Sequence, residues 1–172
     1  MLPTASPDDR GLPHTLEHLV HSGSLRHPKH GYLTAAGARL IAKHGNASTA
    51  RYYTDYVITT AGSDGAFAYL PMLIDHVLHP LLNEDHFVTE VYHVKPDGQG
   101  GGVVYSEVLN DYAGNIVMLW DTVSKFLCPA DTPFPHESGG RPFDVPNLVN
   151  EDIIEYHRKY YDPKYMVCAI TG

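Results

Sequence analysis

The sequence predicts an α+β domain with helices packed on one face of an antiparallel or mixed sheet. Three observations lead there. Residues Tyr52–Thr60 and Tyr165–Thr171 are dense in aromatic and β-branched residues, the composition of strands. Most of the remaining chain carries helix start and stop signals around apolar residues at helical spacing. Finally, 172 residues with 43% hydrophobic content can bury a core of one domain's size. Two strands cannot make a stable sheet by themselves. Both are apolar enough to want neighbours on either side, so the chain reads as a part cut from something longer.

In order along the chain, residues 1–10 read as a short disordered lead. A first helix is predicted from Leu12–Pro13, where proline suits the first turn, to about Ser22-Gly23-Ser24. A second fits Tyr32 to His44, with Leu33, Ala36, Leu40 and Ile41 on one face and Gly45 as its stop. Asn46–Thr49 has turn chemistry and leads into the first strand. Ser63 is placed as the N-cap of a helix to about His79, kinked at Pro71. Asn83 caps a helix through Val94, and Asp97–Gly102 reads as a flexible loop. That glycine run resembles a phosphate loop only superficially, because it lacks the Gly-Lys-Ser/Thr ending. Helices follow over Val103–Asp111 and on to Leu127. Residues 129–146 are loop, and Asn150 is placed as the cap of Glu151–Tyr161.

Composition narrows the function. A net charge of −8 and a pI near 5.8, with no basic run, argue against nucleic acid or an anionic membrane as partner. No long uncharged apolar run predicts a membrane helix, and the first ten residues lack the features of a signal peptide, so a cytoplasmic protein is expected. Cys128 and Cys168, too few for a disulfide framework and without CxxC spacing, are read as reduced packing residues, with zinc ligation the second alternative. Asn46-Ala47-Ser48 matches a glycosylation sequon but should stay unmodified.

Chemistry concentrates in Gly11-Leu-Pro-His-Thr-Leu-Glu-His18. On a helix His14 and His18 lie one turn apart on one face. They can therefore fill two corners of a tetrahedral zinc site. Glu17, beside them, can act as general base on a water at the metal's open position. His-x-x-Glu-His is the inverted zincin order. An exposed, merely His-rich helix would match the same letters, so the reading needs a third ligand. Glu107 is the best placed, because the apolar residues around it imply a buried helix and a buried carboxylate needs a metal or a cation. Glu90, between Val88 and Val91, is read as a residue hydrogen-bonding a ligand imidazole, or else as an exposed helical acid. His21, His76, His79, His86 and His93 are read as surface or satisfied histidines.

Taken together these segments resemble the pitrilysin/insulinase family of zinc metallopeptidases, particularly its presequence-protease-like branch. The resemblance rests on Gly11–His18, Ser22-Gly23-Ser24, Asn46-Ala-Ser-Thr49, Gly102-Val-Val-Tyr-Ser-Glu107 and Tyr156–Pro163, in that order. It implies His14, His18 and Glu107 as zinc ligands and Glu17 as base. It further implies that Asn46 and Ala47 lie beside an edge strand that binds extended peptide by strand addition. By the same resemblance residues 11–172 form part of an N-terminal catalytic domain lacking its first strands, and a second half would complete the substrate chamber. His21 departs from the family, where an apolar residue is usual. The function expected is a metalloendopeptidase acting on peptides or unfolded segments. The alternatives are a truncated, non-catalytic metal- or peptide-binding fragment of the same fold and, more remotely, a His-rich metal-binding protein.

Overall fold

Helix α1 (Leu12–Val20) is the element around which the others pack. The structure, a computed structural model, describes residues 1–43 and 46–172. Leu12, Leu16, Leu19 and Val20 recur at i, i+4, i+7 and i+8, and all four are buried. The opposite flank carries His14, His18 and His21. The helix starts where Gly11 takes φ 78°, and Pro13 occupies its first turn.

After α1 come α2 (Tyr32–Arg39), then β1 (Ala42–Thr49) and β2 (Thr54–Thr60), paired antiparallel. The turn between the strands is closed by the Ala50 amide on the Tyr53 carbonyl at 2.8 Å. Helix α3 (Ser63–Leu78) packs on β2, and α4 (Glu84–Glu90) packs on α1. A two-residue ribbon of β3 (His93–Val94) and β4 (Gly100–Gly101) precedes α5 (Val103–Tyr112) and α6 (Asn115–Leu127). A loop leads to α7 (Asn150–Tyr160), which lies along α1. The class is α+β, as the sequence predicts. Among the described residues no helix is long and apolar enough to cross a membrane.

Several elements differ from expectation. The second helix stops at Arg39, Ile41 takes φ 51°, and the chain enters β1 at Ala42. Asn46–Thr49, expected as a turn, is thus strand: Asn46 opposes Val57 and Ala47 opposes Tyr56. Pairing with a strong neighbour supplies what the small polar residues of β1 lack. The stop expected at His44–Gly45 lies outside the described residues. Gly62, not Ser63, holds the cap position of α3, which runs through Pro71. Asn83 does cap α4, its Oδ1 accepting from the His86 amide at 2.9 Å. That helix ends at Glu90, because residues 93–94 turn to pair with part of the supposed loop. Asn150 lies within α7 rather than capping it; its Nδ2 donates to the Leu82 carbonyl at 3.0 Å.

Both ends of the chain also depart from the reading. In place of a disordered lead, Leu2 and Thr4 are 1% exposed, and Leu2 exchanges both backbone hydrogen bonds with Thr54 at 2.9 and 3.0 Å. The strand expected over Tyr165–Thr171 is absent from the described secondary structure. Tyr165 ends a 3-10 turn, and Val167 exchanges two bonds with Met1 at 2.9 and 3.0 Å. One paired residue is too little to define a strand. Cys168 is exposed, so it is not the packing residue expected; both cysteines are free.

Helix α6 has an unusual polarity. Its buried residue is Asp121, held by Lys125 at 2.8 Å and Arg141 at 3.0 Å. Ile116, Leu119, Trp120, Phe126 and Leu127 are all exposed.

Candidate metal centre

Three side chains converge where α1 meets α5. His14 Nε2 lies 3.9 Å and His18 Nε2 3.3 Å from Glu107 Oε2, and one ligand atom from each residue falls within 4.8 Å of the others. A tetrahedral metal with bonds near 2.0–2.1 Å separates its ligand atoms by about 3.3 Å. The donor set therefore fits zinc after small side-chain adjustment. The two imidazoles meet edge to face, centroids 4.8 Å apart.

Each donor is prepared by its surroundings. His14 Nδ1 is 3.1 Å from the Gly139 carbonyl, which can only accept. The ring proton therefore belongs on Nδ1, leaving the Nε2 lone pair free to ligate. Burial, with His14 and His21 nearby, pushes His18 down to about 4, so its imidazole is neutral at physiological pH.

Gly139 reaches His14 through a tight approach of loop to helix. A Cβ on Gly11 would meet the Gly139 carbonyl oxygen at 2.7 Å and Gly140 Cα at 2.8 Å. Arg141 anchors the loop: its amide donates to the Asp9 carbonyl at 2.9 Å and its guanidinium pairs with Asp9 and Asp121 at 2.9 and 3.0 Å.

Glu17 is 9% exposed and accepts a hydrogen bond from the Thr49 hydroxyl at the end of β1. Burial raises its pKa, assisted by Glu107 and Asp55, while Thr49 and His14 act against the rise. A carboxylate moved toward neutrality in this way is better matched to taking up a proton.

Glu107 occupies the predicted place for a different reason than the one expected. Val104 and Val108 bury one side of α5, but the Glu107 side chain is 48% exposed and faces an open cleft. That cleft, of about 400 Å³, is lined by Glu17, His18, His21, Asn46, Ala47, Glu90 and Glu107 among others. All seven predicted site residues except His14 thus border one space, and His14 reaches it through Glu107. Glu90 lines this cleft, and the imidazole of His14 donates to the Gly139 carbonyl. Sequence reasoning missed Gly139 and Thr49; the Gly139-Gly140 pair was the available hint of a close backbone approach.

Among the remaining histidines, His76 is fully buried, with Nδ1 2.8 Å from the Met72 carbonyl. It is a core residue away from the centre.

A family model described as Insulinase (Peptidase family M16) matches residues 4–99. An uncharacterized protein of Schizosaccharomyces pombe is 37% identical over 98% of this chain and 16% of its own length. The mitochondrial presequence protease of Drosophila melanogaster is 31% identical over 91% of this chain and 16% of its own. The chain thus spans about a sixth of the curated relatives it matches. The crystal structure of pitrilysin superimposes with a TM-score of 0.73 at 23% identity, covering 95% of this chain and 17% of that one, which shows a shared fold. The chain belongs to the insulinase family, peptidase family M16.

Proposed function

We propose that this chain is the metal-holding part of a zinc metalloendopeptidase, a portion of its N-terminal catalytic domain that takes in the first ten residues as well as residues 11–172. The convergence of His14, His18 and Glu107 carries the reading. These three would hold zinc, which supplies a Lewis acid that brings water within reach of deprotonation near neutral pH and polarises a peptide carbonyl. Glu17 takes the proton from the attacking water and returns one to the departing amine. Asn46 and Ala47, on the side of β1 that borders the cleft, meet an extended peptide through backbone hydrogen bonds, which give affinity with little dependence on side chains. Glu90, which lines the same cleft, would hydrogen-bond a ligand imidazole other than His14, whose Nδ1 donates to Gly139. A second half, contributed by the rest of a longer chain, closes over the substrate.

Metal analysis of the purified chain tests the ligand set. About one zinc per chain is expected, and none after His14→Ala with His18→Ala; equal metal in both ends the reading. Peptide cleavage sensitive to chelator and lost in Glu17→Gln is expected of the endopeptidase. The short span relative to its relatives favours a second reading, a non-catalytic fragment. Zinc binding without any cleavage would select it.

A further inference from the structure

Glu17 terminates a row of hydroxyls, buried at its far end, that the proposed chemistry does not yet use. Thr49 Oγ1 donates to Glu17 Oε2. Thr54 Oγ1 lies 3.4 Å from Thr49 Oγ1 and 2.9 Å from Thr4 Oγ1. Thr54 is fully buried and Thr4 is 1% exposed, so water does not compete for the bond between them, while Thr49 is half-buried.

The direction of the first link follows from proton counting. A hydroxyl has one proton to give. An ionised carboxylate only accepts, so Thr49 gives its proton to Glu17 and can only accept from Thr54. Thr54 and Thr4 share a hydrogen bond at 2.9 Å in which either hydroxyl can donate, and this contact holds the Thr54 hydroxyl against Thr49. The backbone holds this order in place: the Leu2 and Thr54 amides and carbonyls are mutually bonded, and the Thr4 amide donates to the Tyr52 carbonyl at 3.2 Å.

We infer that Thr49, backed by Thr54 and Thr4, is the positioning residue for Glu17, fixing Oε2 and leaving Oε1 as the atom that takes the proton from water. This rests on the metalloendopeptidase reading above. The row also assigns a purpose to residues 2–4, which lie outside the metal helix. Through Thr54 they hold the base at a fixed angle to the site where water is attacked.

The test uses the zinc-loaded chain and a fluorogenic peptide. Thr49→Val should lower kcat about ten- to a hundredfold, the scale expected for misplacing a catalytic group. KM and zinc content should stay unchanged, and Thr49→Ser should restore the rate. Thr4→Val and Thr54→Val should lower kcat in the same direction by less, and either serves if Thr49→Val does not fold. A crystal structure of zinc-loaded Thr49→Val should show the Glu17 carboxylate rotated from its wild-type position. Unchanged kcat in a zinc-loaded Thr49→Val, or an unmoved carboxylate, overturns this inference and leaves the endopeptidase reading standing. A wild-type chain that takes no zinc, or cleaves nothing when loaded, overturns both.

Discussion

Replacing Gly11 by alanine should destabilise the chain and loosen its hold on metal together. Gly11 has φ 78°, where an L-residue costs about 1–2 kcal/mol. The new Cβ would also stand 2.7 Å from the Gly139 oxygen and 2.8 Å from Gly140 Cα. Both are backbone atoms that cannot swing aside as a side-chain tip can, so overpacking adds about 1–3 kcal/mol. Gly31 is the natural control, with φ 73° and nothing within 4 Å of its would-be Cβ. Gly31→Ala should therefore cost the conformational part alone. For a chain of this size about 1 kcal/mol moves Tm by roughly 3 °C. Scanning calorimetry should then place Gly31→Ala about 3–6 °C below wild type and Gly11→Ala about 6–15 °C below. Zinc affinity should fall in Gly11→Ala only, because displacing Gly139 releases the Nδ1 side of His14. Equal Tm losses, or unaltered zinc affinity in Gly11→Ala, would refute the claim that this contact orients the ligand.

Leu16 is fully buried beside Glu17, and Leu16→Ala should lower unfolding free energy by about 2–5 kcal/mol in urea titrations. Glu107→Gln should weaken zinc binding while leaving the Tm of the metal-free chain nearly unchanged, since the side chain is half exposed; calorimetric titration and a thermal scan separate the two. Burial depresses the pKa of His157, whose Nε2 donates to the Val77 carbonyl at 3.0 Å. Above the unfolded-state value of about 6.5 neither state is charged and the group is silent; below it the unfolded chain binds the proton first, so stability falls as pH drops. His157→Gln should flatten that slope in denaturation series between about pH 7 and 5.

How much of this was legible in the sequence varied with the kind of information needed. Helix α1 announces itself: the i, i+4 histidines share a helix with the Leu12–Leu16–Leu19 stripe, so local periodicity fixes both faces at once. The sequence singles out Glu107 by a burial argument that its half-exposed side chain contradicts, although the side chain does lie beside His14 and His18. Strand β1 could not be read locally, because Ala42, Lys43 and Asn46–Thr49 carry no alternating apolar pattern, and its conformation comes from β2. The same holds for Leu2 and Thr4, which look like an unstructured lead until Thr54 is seen across from them. Gly139 and Thr49 act on His14 and Glu17 across 125 and 32 residues of sequence, respectively. Contacts of that reach leave no periodic trace.

Helix α6 turns Asp121 inward and its bulky apolar residues to solvent, and the chain's single tryptophan, Trp120, stands on that outer face at 61% exposure. Indole emission is consequently a native gauge of that face alone. A blue shift on raising concentration would signal self-association through α6, and its absence at working dilution would show that this face stays in water during the metal and kinetic measurements. No label need be introduced, because the reporter is already in the chain.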